Sequence, residues 1–107
     1  MELSISELRI LCSSSKIKWT THILMRLQKR NINPSDVRNC IMTGKIIEQY
    51  PTDYPYPSCL TLGHDMGSRY LHVVVGSGGG FIWLITAYHP TLNEWESDFT
   101  TRKVTKS

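Results

Sequence analysis

Asn33-Pro34-Ser35-Asp36-Val37-Arg38-Asn39-Cys40-Ile41-Met42-Thr43-Gly44-Lys45-Ile46-Ile47-Glu48-Gln49-Tyr50 changes its apolar period at Gly44, and that change sets the fold class. Before the glycine the stretch is punctuated as a helix at both ends. Asn33 is the N-cap, Pro34 takes the first helical position where its missing N–H costs nothing, Asp36 lies in the first turn, and Val37, Cys40 and Ile41 share one face. After it, Lys45 to Tyr50 reads as a strand. Helical patterns lie upstream of this point and strand patterns downstream.

Upstream, Leu3 to Ser13 reads as a first helix with Ser4 or Ser6 as N-cap and Leu8, Leu11 and Cys12 on its apolar side, ended by Ser13-Ser14-Ser15. Thr20 or Thr21 caps a second helix that runs to about Arg30, where Asn31 breaks the pattern. Downstream, Ser58 to Gly63, Tyr70 to Gly76 and Phe81 to Tyr88 are three further strands. The link Pro51-Thr52-Asp53-Tyr54-Pro55-Tyr56-Pro57 is barred from helix by its prolines. Asp65-Met66-Gly67-Ser68 and Gly76-Ser77-Gly78-Gly79-Gly80 are short hairpin connections, which force antiparallel neighbours. The glycine run lacks a GxxxxGK[ST] pattern and a following helix, so it reads as a flexible hairpin tip rather than a phosphate loop. The expected fold is α+β: N-terminal helices packed on one face of a four-stranded antiparallel sheet, in one domain over residues 1–107.

A chain of 107 residues suffices for one core. No apolar run approaches the roughly 18 residues of a membrane helix. Glu2, Ser4, Ser6 and Glu7 stand where a signal peptide would carry a basic head and an apolar segment, so the expected location is the cytoplasm, with no membrane partner. Cys12, Cys40 and Cys59 are odd in number and lack CxxC spacing, which predicts three reduced thiols with Cys40 in the core.

The net charge of +3 is unevenly spread. Met1 to Lys45 carries eight Lys and Arg against three acids, Ile46 to Thr101 only Arg69 against six, and Arg102, Lys103 and Lys106 follow. A basic helical half and a basic tail together suit a polyanion, although the same asymmetry also serves to hold the two halves together.

Within the basic half, Thr21-His22-Ile23-Leu24-Met25-Arg26-Leu27-Gln28-Lys29-Arg30 places His22, Arg26 and Arg30 in one i, i+4, i+8 row, with Ile23 and Leu27 on another face. Guanidinium pairs bidentately with phosphate and imidazole titrates near neutral pH, so the row suits a phosphate-rich ligand; a solvated basic face is the other reading. In Tyr70-Leu71-His72-Val73-Val74-Val75, alternation puts Tyr70, His72 and Val74 on one face of a strand. If that face met the helix of His22 and Arg26, two imidazoles, two guanidiniums and the Tyr88 phenol would converge on one cleft. Such a set matches metal-independent RNA cleavage, which needs a base, an acid and fixed positive charge. A half-buried structural histidine is the alternative for His72. His22, His64, His72 and His89 lack a paired-ligand spacing, so neither a metal nor a cofactor is expected. Trp19, Trp83 and Trp95 read as core or edge anchors, with Trp95 also open to a partner-binding role.

Taken in order, Thr21-His22-Ile23-Leu24-Met25-Arg26-Leu27-Gln28-Lys29-Arg30-Asn31-Ile32, Asp36-Val37, Gly44-Lys45-Ile46-Ile47-Glu48, Pro57-Ser58-Cys59-Leu60, Leu71-His72-Val73-Val74-Val75 and Thr86-Ala87-Tyr88-His89-Pro90 resemble the bacterial family called domain of unknown function 4258. The resemblance is strongest over residues 21–102. It implies a RelE-like domain, related to the RelE/ParE-like toxins of toxin–antitoxin systems, whose genes often stand beside a small zinc-finger antitoxin. The implied activity is metal-independent endoribonuclease cleavage by 2′-hydroxyl attack, leaving a 2′,3′-cyclic phosphate. His22, Arg26, Arg30, His72 and Tyr88 match the family's polar positions. On that reading His72 and His22 exchange protons, Arg26 and Arg30 hold the scissile phosphate, Tyr88 orients it or stacks on a base, and Lys29 and Arg102 extend the RNA-binding surface. RNA and a small antitoxin are then the partners. The alternative is a non-catalytic module of the same fold that binds nucleic acid or protein.

Overall fold

Three helices and five strands follow in the order α1 (Ile5–Ser13), β1 (Ile17–Lys18), α2 (Thr21–Lys29), α3 (Pro34–Thr43), β2 (Lys45–Tyr50), β3 (Ser58–His64), β4 (Tyr70–Gly78) and β5 (Phe81–Tyr88). The computed structural model describes residues 2–104. Local chemistry accounts for the helix ends. The Ser4 hydroxyl accepts the Glu7 N–H, and the Thr20 hydroxyl accepts the Ile23 N–H at 3.1 Å. At the start of α3 the Asp36 carboxylate accepts the Asn33 N–H at 2.7 Å and, with its other oxygen, the Met66 N–H at 2.8 Å. Asp36 thereby ties the helix to the β3–β4 connection. Arg9 of α1 closes the far end, donating to the carbonyls of Ile41 and Gly44.

The strands form one mixed sheet in the order β1-β5-β4-β3-β2. The four long strands pair antiparallel, but β1 pairs parallel to β5, with Ile17 opposite Ile82 and Lys18 opposite Trp83. The expected four-stranded antiparallel sheet is therefore corrected to five strands with one parallel pair; the α+β class stands. Two residues are too few to show alternation, and β1 finds its partner more than sixty positions along the chain, so no local pattern marks it. The glycine run is also corrected. Gly76, Ser77 and Gly78 belong to β4, and only Gly79 and Gly80, both at positive φ, make the two-residue turn into β5.

The sheet has two unlike faces. On one, Cys59, Leu71, Val73, Val75, Ile82, Leu84 and Ala87 join Leu8, Cys12, Leu27, Val37, Cys40 and Ile41 of the helices in a single core. All three cysteines are buried and unpaired. On the other, which we call the outer face, alternation places His72 beside Leu62 and Val74 beside Leu60. Chain beyond β5 folds back over one end of it, carrying Trp95, which is 2% exposed, and closing with a bridge from Trp95 to Arg102. At the end nearest the β4–β5 turn, Trp83 and Ile85 remain 38% and 44% exposed.

Candidate functional site

His72 lies fully buried under the returning segment. Its Nε2 is 2.8 Å from the Phe99 carbonyl oxygen and its Nδ1 is 3.2 Å from the Tyr88 hydroxyl. A carbonyl only accepts, which assigns the proton to Nε2 and leaves Nδ1 to accept from Tyr88. The Trp95 and Tyr88 rings meet the imidazole edge-on, at 4.5 and 5.3 Å between centroids. Burial pushes the imidazolium below the ordinary histidine range, outweighing the opposite pull of the Phe99 contact and the Glu48 charge. Burial likewise raises the Tyr88 phenol. His72 is thus held neutral, in one tautomer, with both ring nitrogens engaged.

Beside it stands an ion pair that fastens the segment down. Arg102 Nε donates to Glu48 Oε2 at 2.8 Å and Nη2 to Oε1 at 3.0 Å, a bidentate fork from the returning segment to β2. Its guanidinium also lies 4.6 Å from the Trp95 ring centroid. The Arg102 hydrogen bond holds the Glu48 carboxyl below its usual range, and Tyr50 donates to the same carboxylate. Burial, reinforced by that contact with Glu48, lifts the Tyr50 hydroxyl to about 12.

His22 and Arg26 are elsewhere. They sit on the exposed surface of α2, whose Ile23 and Leu27 dock on the helix-side core, whereas His72 turns to the outer face. The structure gathers His72, Tyr88 and Arg102; it does not bring His22 or Arg26 to them. Arg30 follows neither group. Its Nη1 donates to the Ala87 carbonyl at 2.8 Å and to the Thr86 hydroxyl at 3.2 Å, covering the length of β5 that the short β1 leaves unpaired. Lys29 is exposed at the end of α2.

The cations between Leu8 and Ser35 share one property. From Leu8 to Ser35 the sequence contains no Asp or Glu, yet it holds Arg9, Lys16, Lys18, Arg26, Lys29 and Arg30. Among the described residues, ion pairs join Arg69 and His89 to Asp65 and Arg102 to Glu48; Lys16, Lys18, Arg26 and Lys29 have no carboxylate partner, and neither do Arg9, Arg30, Arg38, Lys45 and Lys103. Two clefts of about 280 Å³ each, one lined by Gly44, Leu62, His64 and Tyr70 and the other by Asn93, Glu94, Arg102 and Lys103, contain neither His22 nor His72. No three potential metal-ligating side chains cluster among the described residues.

Sequence reasoning missed Glu48, Trp95 and Phe99 as parts of the His72 pocket, since all three reach it through long-range packing. Trp95 is the buried tryptophan and Trp83 the exposed one. Phe81-Ile82-Trp83-Leu84-Ile85 did hold a signal for this: an apolar residue at every position means that both faces of the strand carry hydrophobic side chains.

Fold and site together define a small α+β domain with a sealed histidine pocket on the outer face of its sheet, exposed Arg26 and Lys29 on the helix side, and Lys16 and Lys18 of the β1 edge turned to the outer face. The family model described as Domain of unknown function (DUF4258) matches residues 19–89, and the chain belongs to that family. No curated protein and no solved structure matches it. The match ends before Trp95, Phe99 and Arg102, so the cover over His72 lies outside it. No helix among the described residues is long and apolar enough to cross a membrane.

Proposed function

We propose that the chain is an RNA-binding domain that grips the phosphate backbone through the cations of α2 and β1. The observation that carries this reading is the run of exposed Lys16, Lys18, Arg26 and Lys29 with no carboxylate paired to any of them. Exposed cations without carboxylate partners release counterions from a polyanion on contact. Arg30 adds its charge nearby while holding β5. Titration of a labelled RNA across a salt series tests the reading. Affinity falls steeply as salt rises, and an Arg26→Ala, Lys29→Ala double variant binds with a shallower slope at unchanged thermal stability. An acidic protein segment, such as an antitoxin would present, competes for the same cations. Capture of a co-expressed acidic protein in place of RNA would reassign the surface to that partner.

Metal-independent RNA cleavage of the toxin kind is a second reading, favoured by the gathering of His72, Tyr88 and Arg102 in one cluster. It requires the Phe99 carbonyl to leave Nε2, because a nitrogen already donating there cannot trade a proton with a 2′-hydroxyl. Incubation with RNA in chelator decides it: cleavage lost in His72→Ala and Tyr88→Phe supports catalysis, and intact RNA with the wild-type protein removes it.

A further inference from the structure

The uncovered end of the outer face is an aromatic platform edged with lysines. Along β5, Ile82 and Leu84 enter the core, so alternation turns Phe81 and Trp83 outward. In β1, Ile17 is buried beside Ile82, which turns Lys16 and Lys18 outward as well. Their ammonium groups stand 5.4 and 4.4 Å from the Phe81 ring centroid. Tyr56, delivered by the proline-rich link, lies flat across Gly78, where any Cβ would collide with its ring. It stacks on Trp83 with centroids 6.0 Å apart and planes 23° from parallel. The Trp83 indole N–H donates to the Gly78 carbonyl at 3.1 Å, which fixes the ring plane. Two aromatic rings are thus set side by side, Trp83 is 38% exposed, and two unpaired cations stand at the margin.

We infer that this end of the outer face, built from Tyr56, Phe81 and Trp83 with Lys16 and Lys18 beside them, is a stacking platform for the unpaired bases of single-stranded RNA. The inference rests on the RNA-binding reading and adds to it the strandedness of the RNA and the place where its bases lie. A held indole loses little freedom when a base stacks on it, and every base offers a π-face, so such contacts are strong and tolerant of sequence. Duplex RNA keeps its bases stacked internally and cannot present them. The lysines supply the charge complement for the strand's phosphates. A second copy of this chain is a poorer occupant, since pairing along the two-residue β1 edge would bring lysines of both copies together.

The test is fluorescence anisotropy with a labelled, unstructured single-stranded RNA and with the same strand annealed to its complement. Wild type binds the single strand more tightly than the duplex. Trp83→Ala weakens single-strand binding about tenfold and leaves duplex binding and the thermal melt unchanged, with Trp83→Phe in between. Equal wild-type affinity for both forms, or a well-folded Trp83→Ala that binds like wild type, overturns the platform. If Trp83→Ala does not fold, Trp83→Phe decides: weaker single-strand binding at an unchanged melt supports the platform, and wild-type affinity overturns it. A sedimentation shift from dimer to monomer in either Trp83 variant overturns it in favour of self-association. In all these cases, loss of salt-dependent binding in the Arg26→Ala, Lys29→Ala variant still upholds the phosphate-binding reading, whereas no binding of either RNA by wild type overturns both.

Discussion

The His72 pocket and the α2 surface hold the same kinds of side chain and use them in opposite ways. In the pocket each polar group is answered: imidazole by a carbonyl and a phenol, guanidinium by a carboxylate, with an indole closing the top. On α2 and β1, imidazole, guanidinium and ammonium groups face solvent with no carboxylate paired to them among the described residues. A satisfied buried network contributes stability and specifies one arrangement of the chain. Exposed cations without carboxylate partners contribute little to the fold and remain available to a ligand. Substitutions in the pocket should therefore move stability and spare affinity, and substitutions on α2 should do the reverse.

The largest expected effect is on Trp95. Its indole is 2% exposed and supports both His72 and Arg102, so Trp95→Ala should cost about 3–5 kcal/mol in chemical denaturation. RNA affinity measured under folding conditions should not change; a drop in affinity at full folding would erase the contrast. Next comes Tyr88→Phe, which leaves His72 Nδ1 a buried acceptor without its donor and should cost roughly 1–3 kcal/mol. A variant as stable as wild type would show that the hydroxyl does not serve His72.

The pocket also predicts a pH dependence. The imidazolium is depressed in the fold, so the unfolded chain binds the proton more readily. Stability is then full above the ordinary histidine value of 6.5 and falls as the pH drops below it, a slope that His72→Gln should flatten. Asp65 acts at lower pH. Burial works to raise its carboxyl, but donors from Arg69, His89 and Gly67 outweigh this and bring it to about 2. Its contribution is present above 3.8 and is lost as the pH falls toward about 2. Asp65→Asn should remove that lower phase in acid-unfolding curves. The smallest effect is on Arg102, whose side chain is 57% exposed. Despite its bidentate geometry, Arg102→Ala should cost no more than about 1 kcal/mol, reduced further by salt.

The contrast between the two regions was partly legible in the sequence. Asn33, Pro34 and Gly44 mark α3 because caps are local chemistry, and the period change at Gly44 marks the start of the sheet. That His22 and Arg26 share the exposed face of α2 could be read from spacing alone, since i, i+4 neighbours share a helix face, whereas Arg30, the third member of the row, is the C-cap and turns to the β5 backbone. The place of His72 could not. Alternation separates it from Leu71 and Val73, but which face the helices cover depends on packing, and the helices took the face of Leu71, Val73 and Val75. Nor could Ile17–Lys18 be seen, being a strand only because Ile82 lies beside it. Phe99 reaches His72 through its backbone carbonyl, which any residue would have supplied.

The most direct measurement of the central claim is the slope of log affinity against log salt for a single-stranded RNA, compared between wild type and the Arg26→Ala, Lys29→Ala variant, with Tyr88→Phe as the pocket control. Wild type and Tyr88→Phe should share one steep negative slope, and the double variant should be shallower by about 1.4, two phosphate contacts at about 0.7 each on a single strand. An unchanged slope in the double variant, or a slope that shifts with Tyr88→Phe instead, would contradict the account.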